Sequence, residues 1–291
     1  MIEGIIITGL LSGGVYALLA VGFSLIFGSA RIINLAHTAF YMMAAYLIYT
    51  FASLLGLNLL LSIILSIVAV TIIGVLTYNL VIDRVRGHET TALIVTLALA
   101  IIIQEVMLTP WTFGGHFLRV PSLVSGYTTI MGIRVTYQYI LTFGMVLIIL
   151  LGTWALLMKT KLGIAIRSTA QDREVANLMG INVARTGMIT MAISVALAAV
   201  AGALVAPLAI LSPHMWMHPL VMIMAIVVLG GLGSIKGSLV GAFVLGFAET
   251  LVVFLVPSGA FLKGSVALAI MLAVILIRPE GLFGVAFEEE R

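Results

Sequence analysis

The chain predicts an all-α, polytopic transmembrane helical bundle of eight or nine spans, some of them broken or re-entrant. Three observations carry that prediction. Of its 291 residues, 63% are hydrophobic and only 9% are charged, whereas a soluble domain carries about 25% charged residues. The apolar residues lie in long uninterrupted runs, which mark helices; strands of a membrane barrel would alternate apolar with polar. The basic residues sit in the gaps between those runs.

A span needs about 20 apolar residues. Suitable runs cover 4–28, 39–55, 58–82, 91–109, 139–158, 187–211, 219–234, 237–256 and 261–277. Several are short or glycine-rich, and these are where broken helices are expected. The first run lacks a basic leader, carries Glu3 instead and continues to Phe27. It therefore reads as a first span and not as a cleaved signal. Pro207, within AGALVAPLAIL, is expected to kink its helix. The glycines between Gly230 and Gly237 are expected to permit close helix packing or a break between two spans. The whole chain, 1–291, thus reads as one membrane domain.

Polar gaps fall at 29–38, 83–90, 110–138, 159–186 and after Arg278. Suppose that 159–186 is cytoplasmic and that nine spans cross. Then Arg31, Arg84, Arg86, Lys159, Lys161, Arg167, Arg173, Arg185, Lys236, Arg278 and Arg291 lie inside, eleven in all, and Arg119, Arg134 and Lys263, three in all, lie outside. The positive-inside bias places the N-terminus outside and the C-terminus in the cytoplasm. The same distribution makes the basic residues topology signals, with no nucleic-acid surface implied. The outer loop, 110–138, reads as strand and turn, punctuated by Gly114-Gly115, Pro121 and Gly126. A small hairpin there would connect two spans, cap a path or touch an external partner.

No catalytic or metal constellation is legible. His88-Glu89-Thr90-Thr91-Ala92 begins like a zinc-protease helix but has no second histidine. The run Gly230-Gly231-Leu232-Gly233-Ser234-Ile235-Lys236-Gly237 has neither the order of a phosphate-binding loop nor that of a dinucleotide fingerprint. Cysteine is absent, which excludes disulfides and thiol chemistry. The expectation is a protein that is not an enzyme and needs no cofactor or metal.

One polar island stands out, Lys159 to Arg185, with five of the chain's fourteen Lys and Arg. Within it, Thr169 and Asp172 fit a capping box, and Gly180 suits the position just past a helix end. The expected helix covers 170–179, with Val175, Leu178 and Met179 as an apolar strip. It could lie on the membrane surface or dock into a groove on a soluble partner.

Glu174-Val175-Ala176-Asn177-Leu178-Met179-Gly180 resembles the E-A-A-x3-G motif of ABC importer permeases. The wider context is more specific. Residues 163–204, beginning GIAIRSTAQDREVANLMG, resemble the same region of branched-chain amino acid permeases of the LivH/LivM-like family. Residues 9–47, 230–251 and IRPEGLFG at 277–284 also resemble segments of that family, in order along the chain. One departure is visible. The LivH-type signature N-x-A-H-G-E-F here reads Asn34-Leu35-Ala36-His37-Thr38-Ala39-Phe40, closer to the LivM type.

The resemblance implies a permease subunit forming half of a membrane pathway for branched-chain or other neutral amino acids, LivH-type in kind. It implies a second LivM-like permease, two ABC ATPase subunits and an extracytoplasmic substrate-binding protein as partners, with surrounding lipid, in a prokaryotic inner membrane. It implies that 159–186 holds the coupling helix, with Arg167, Asp172, Arg173, Glu174, Ala176, Leu178, Met179 and Gly180 as candidate ATPase contacts. Urea or short-chain amides are alternative solutes on the same fold. Asn34, His37, Phe40 and Glu249 are the candidate pathway residues. The bland alternatives are interhelical pairing or a place at the inner headgroups for Asn34 and His37, and packing at a subunit contact for Glu249. A carboxylate at membrane depth also admits an ion-coupled secondary transporter working through Glu249.

Overall fold

The computed structural model describes residues 2–85, 87–109, 113, 116–130, 133–278 and 281–283. Arg86, Arg291 and Gly114-Gly115, used in the sequence argument, lie outside these. Among the described residues the chain is almost entirely helical, and nine apolar segments fall close to the nine expected runs. They are α1 (Ile2–Ala30), α2 (His37–Tyr49, continued by a π-helical turn Thr50–Leu54), α3 (Leu59–Thr77, continued to Val85), α4 (Glu89–Leu108), α5 (Tyr137–Lys159), α8 (Val183–Val205), α9 (Met217–Gly230), α10 (Ile235–Leu255) and α11 (Lys263–Ile277). Two further helices, α6 (Lys161–Gln171) and α7 (Arg173–Leu178), lie between α5 and α8. Among the described residues, seven segments are long and apolar enough to cross a membrane by themselves; α9, with 14 residues, is shorter.

The outer helix α3 buries mostly small and polar residues and turns its large apolar ones outward. On α3, Ser62, Ser66, Val70 and Gly74 face the bundle, while Leu60, Ile64, Val68, Ile72 and Leu76 are exposed. In lipid there is no hydrophobic force between helices, so close approach and interhelical hydrogen bonds hold the bundle. The Ser66 hydroxyl accordingly donates to the Ala44 carbonyl at 2.7 Å, and the Thr142 hydroxyl to that of Leu204 at 3.4 Å.

The centre of the bundle is α1, of which 78% of the most apolar window is buried, against 6% for α11. Gly9 and Gly13 let the Phe247 and Phe243 rings of α10 lie directly on its backbone. Gly202 of α8 sits against the backbone of Tyr41, and Gly230 of α9 against Gly237 of α10, so that a methyl at either place would collide with main chain. That second contact fulfils both expectations for this glycine run: close packing and a break between two helices.

Pro207 behaves differently from the kink expected of it. Helix α8 stops at Val205, and the carbonyl of Val205 is closed off by the Leu208 and Ala209 amides. Proline has no amide to continue the ladder, and here it ends the helix. In 110–138 a hairpin forms as expected, with β1 (Tyr127–Ile130) antiparallel to β2 (Ile133–Thr136). The loop is stitched to the α8–α9 connection by a bridge between Leu118 and Leu211. Phe113 of the same loop packs on Tyr46 of α2, ring centroids 4.7 Å apart.

The first and last described residues, Ile2 and Phe283, lie at opposite ends of the bundle. Gly4 packs against Phe254 and Ile133. The far end of α1 meets α6 where Gly28 adjoins Ala170. At that same end Gly233 adjoins Gly28, and the amides of Leu282 and Phe283 donate to the carbonyls of Leu229 and Gly230. An odd number of crossings accounts for this arrangement, and seven of the described helices are long and apolar enough to cross a membrane.

Candidate functional site

Among the described residues, three polar groups bear on function: the α6–α7 connection, the buried Asn34–His37 turn and a cluster around Glu249. The connection begins with Thr160, whose hydroxyl accepts the Gly163 amide at 3.0 Å and caps α6. Here the structure corrects the expected capping box. Thr169 is buried inside α6, its hydroxyl without a partner, and the helix runs on to Gln171. Asp172, in extended conformation, is the N-cap of α7, and one carboxylate oxygen accepts the amides of Glu174 at 2.8 Å and Val175 at 3.0 Å. The helix therefore has six residues, Arg173–Leu178, in place of the expected 170–179. Two causes act together. Packing of α6 on α1 at Gly28 keeps Thr169 helical, and aspartate is among the strongest N-caps.

Gly180 takes the role expected of it. Its φ is +85°, its amide donates to the Asn177 carbonyl at 3.0 Å, and the Ile181 amide donates to that of Ala176, also at 3.0 Å. This pair of bonds is the Schellman closure, which favours glycine. The helix so fixed buries Ala176 but exposes Leu178 by 84%, Met179 by 78% and Val175 by 53%. Glu174 is exposed beside them. Next to this strip lies an open cavity of about 550 Å³ lined by Arg173, Glu174, Asn177, Gly180, Ile181 and Asn182, among others. Arg173 also donates to the Ala30 carbonyl at 3.1 Å, tying α7 to the end of α1. Arg167 is half-buried, its Nε without a partner.

Asn34, His37 and Phe40 are all fully buried. Asn34 accepts the Ala36 amide at 3.1 Å and so shapes the turn into α2. The Leu19 carbonyl can only accept, so it takes the Nε2 proton of His37 at 3.0 Å. Nδ1 is then the acceptor for the Ser194 hydroxyl at 3.3 Å. His37 thereby links α1, α2 and α8, and the room for its ring comes from Gly22. Sequence reasoning did not name Ser194; serine on an otherwise apolar helix is the signal that would have raised it.

Glu249 sits farther from a helix end than Glu3 or Glu105. Its carboxylate accepts the Tyr16 hydroxyl at 2.8 Å, and Lys263 Nζ lies 3.3 Å away. His218 Nε2 is at 3.8 Å, and His218 Nδ1 lies 3.5 Å from the Tyr16 hydroxyl. The side chains of Lys263 and His218 are 40% exposed, against 6% for Glu249. Four helices, α1, α9, α10 and α11, meet there. Tyr16 and His218 went unnamed in the sequence, and Lys263 entered only as a charge of the outer face, because nothing local ties any of them to Glu249.

The helical bundle defines a multi-pass membrane protein. Comparison with known proteins identifies its kind. Residues 5–277 match the family described as the branched-chain amino acid transport system permease component, and the chain belongs to that family. It is 30% identical, over 96% of its own length and 94% of the relative's, to the high-affinity branched-chain amino acid transport system permease protein BraD of Pseudomonas aeruginosa. It is also 30% identical to the corresponding LivH protein of Salmonella typhimurium, covering 95% and 93% of the two chains. Among solved structures, the fold is similar to PsaBC from Streptococcus pneumoniae in complex with Fab, at a TM-score of 0.52 and 17% identity, over 94% of this chain and 91% of that one.

Proposed function

We propose that this chain is one permease subunit of a binding-protein-dependent ABC importer and forms half of the membrane path for branched-chain or other neutral amino acids. Its partners are a second, LivM-like permease, two ATPase subunits and an extracytoplasmic binding protein. ATP hydrolysis on the ATPases drives the transport. The chain sits in a prokaryotic cytoplasmic membrane with its N-terminus outside and α6–α7 in the cytoplasm. Family membership and the names of the relatives support this reading.

One observation carries it furthest. Helix α7 is capped at both ends and joined to α1 through Arg173, yet holds Val175, Leu178 and Met179 away from the rest of the chain. A six-residue helix is marginal alone, and an exposed apolar strip on it is a surface for another protein. In this reading the ATPase receives that strip, and Arg173 passes its movement to α1. Such a shift requires the ATPase to bind the two transporter states with different affinity.

The test is a pull-down of the tagged chain from mild detergent, wild type against Glu174→Lys, with ATPase activity assayed in the eluate. A co-purifying P-loop ATPase that is lost in the variant supports the reading. A chain that emerges alone from both, with no ATPase activity, refutes it.

A further inference from the structure

We propose that Tyr16, His218, Glu249 and Lys263 form a binding site for the zwitterionic α-amino acid headgroup within the membrane path. This rests on the import reading above and specifies where the permease itself touches its solute. An ionised carboxylate at membrane depth is expensive, and such residues usually face a cavity or a partner charge. Glu249 has both a donor and a counter-charge, from Tyr16 at 2.8 Å and Lys263 at 3.3 Å.

Packing alone gives little reason for this chemistry. Elsewhere the same helices are held by glycine contacts and hydroxyls, such as Gly13 against Phe243 and the pairing of Ser24 with Ser238. An ion pair replaced by apolar side chains of similar volume is often neutral in stability or better. The cluster is also graded in exposure. Glu249 and Tyr16 are buried and form a floor. Lys263 and His218 are half-exposed and form a rim, with the Nε2 atom of His218 turned to its buried side.

That arrangement matches a zwitterion in both sign and depth. The floor carboxylate accepts an ammonium group, the Lys263 ammonium offers itself to a carboxylate, and His218 Nε2 is a buried polar atom without a hydrogen-bond partner beside them. A site of this kind has to satisfy its own charges when empty, and the Glu249–Lys263 contact does so. Both rim side chains can swing aside without disturbing the backbone, since Lys263 is the first residue of α11 and His218 the second of α9. The solute's hydrocarbon side chain meets no charge requirement, which suits a permease that leaves side-chain selection to its binding protein.

The assay uses the assembled importer in nanodiscs without its binding protein, with radiolabelled leucine as probe. Competitors are unlabelled leucine, leucinamide, which lacks the carboxylate, and 4-methylpentanoate, which lacks the ammonium. In wild type only leucine competes well. In Lys263→Met, leucine binding weakens roughly ten- to a hundredfold, the worth of a charge-assisted hydrogen bond, and the preference for leucine over leucinamide disappears. In Glu249→Gln it is the preference over 4-methylpentanoate that disappears. His218→Gln provides a second rim variant should Lys263→Met not assemble. Wild type that binds no leucine, or variants that keep both preferences, overturn the proposal. Vesicles holding the complete importer and binding protein are assayed for leucine uptake in parallel. Uptake by wild type without the predicted binding pattern sinks this site alone, and absence of uptake sinks the import reading beneath it.

Discussion

The guanidinium of Arg173 donates to the backbone carbonyl of Ala30 at 3.1 Å, joining residues 143 positions apart. Arg173 opens α7, and Ala30 closes α1, the most buried span. In the proposed reading, a movement of the exposed helix reaches the centre of the bundle through this charge-assisted hydrogen bond, beside the packing of α6 on α1 at Gly28. Arg173→Ala removes it and leaves the apolar strip intact. The expected outcome in reconstituted importer is ATP hydrolysis close to wild type with uptake lowered roughly two- to thirtyfold, matching ~0.5–2 kcal/mol of coupling. Hydrolysis and uptake falling in parallel would count against this role.

Leu178 and Met179 touch little of their own chain. Replacing both with aspartate should change the thermal stability of the isolated permease by no more than ~0.5 kcal/mol, as for ordinary surface substitutions. The same double variant should lose the ATPase in a pull-down. Loss of the permease fold itself would show that the strip packs internally.

Gly180 has no atom within contact distance of an added methyl group, so Gly180→Ala tests backbone conformation alone. An alanine at φ +85° costs ~1–2 kcal/mol. Hydrogen exchange at the Gly180-position and Ile181 amides should accelerate roughly five- to thirtyfold, with the exchange of α8 unchanged.

His37→Phe keeps a ring of similar size but leaves the Leu19 carbonyl and the Ser194 hydroxyl without their partner. The expected cost is ~1–3 kcal/mol, read as a lower unfolding temperature in detergent. His37→Gln, which can still donate to Leu19, should recover part of the loss. Normal stability of the phenylalanine variant, with impaired uptake, would instead favour a lining role for this position.

The spans were legible because immersion in lipid is a local demand. Each run of about 20 residues must satisfy its own backbone as a helix, so the runs read at 58–82 and 139–158 correspond to α3 and α5. The close of α7 was legible for the same kind of reason, since a left-handed residue after a helix favours glycine, and Gly180 is there. The start of α7 was not. Thr169 and Asp172 were each competent caps, and the choice fell to a contact made by α6 with α1 at Gly28. Pro207 was recognised as a breaker, but whether it would bend or end α8 depended on whether Leu208 and Ala209 could close the last turn.

By itself, then, the sequence determined the helices, their approximate ends and, through residues resembling a known family, the kind of protein they build. Those properties depend on neighbours a few positions away. The tertiary structure alone decided that Glu249 would meet Tyr16, 233 residues distant, along with His218 and Lys263. It also decided that His37 would be spent on Leu19 and Ser194. A lone polar residue in an apolar run carries no record of its partner. The partner is set by which small residues let which helices touch, and that is a property of the packed bundle.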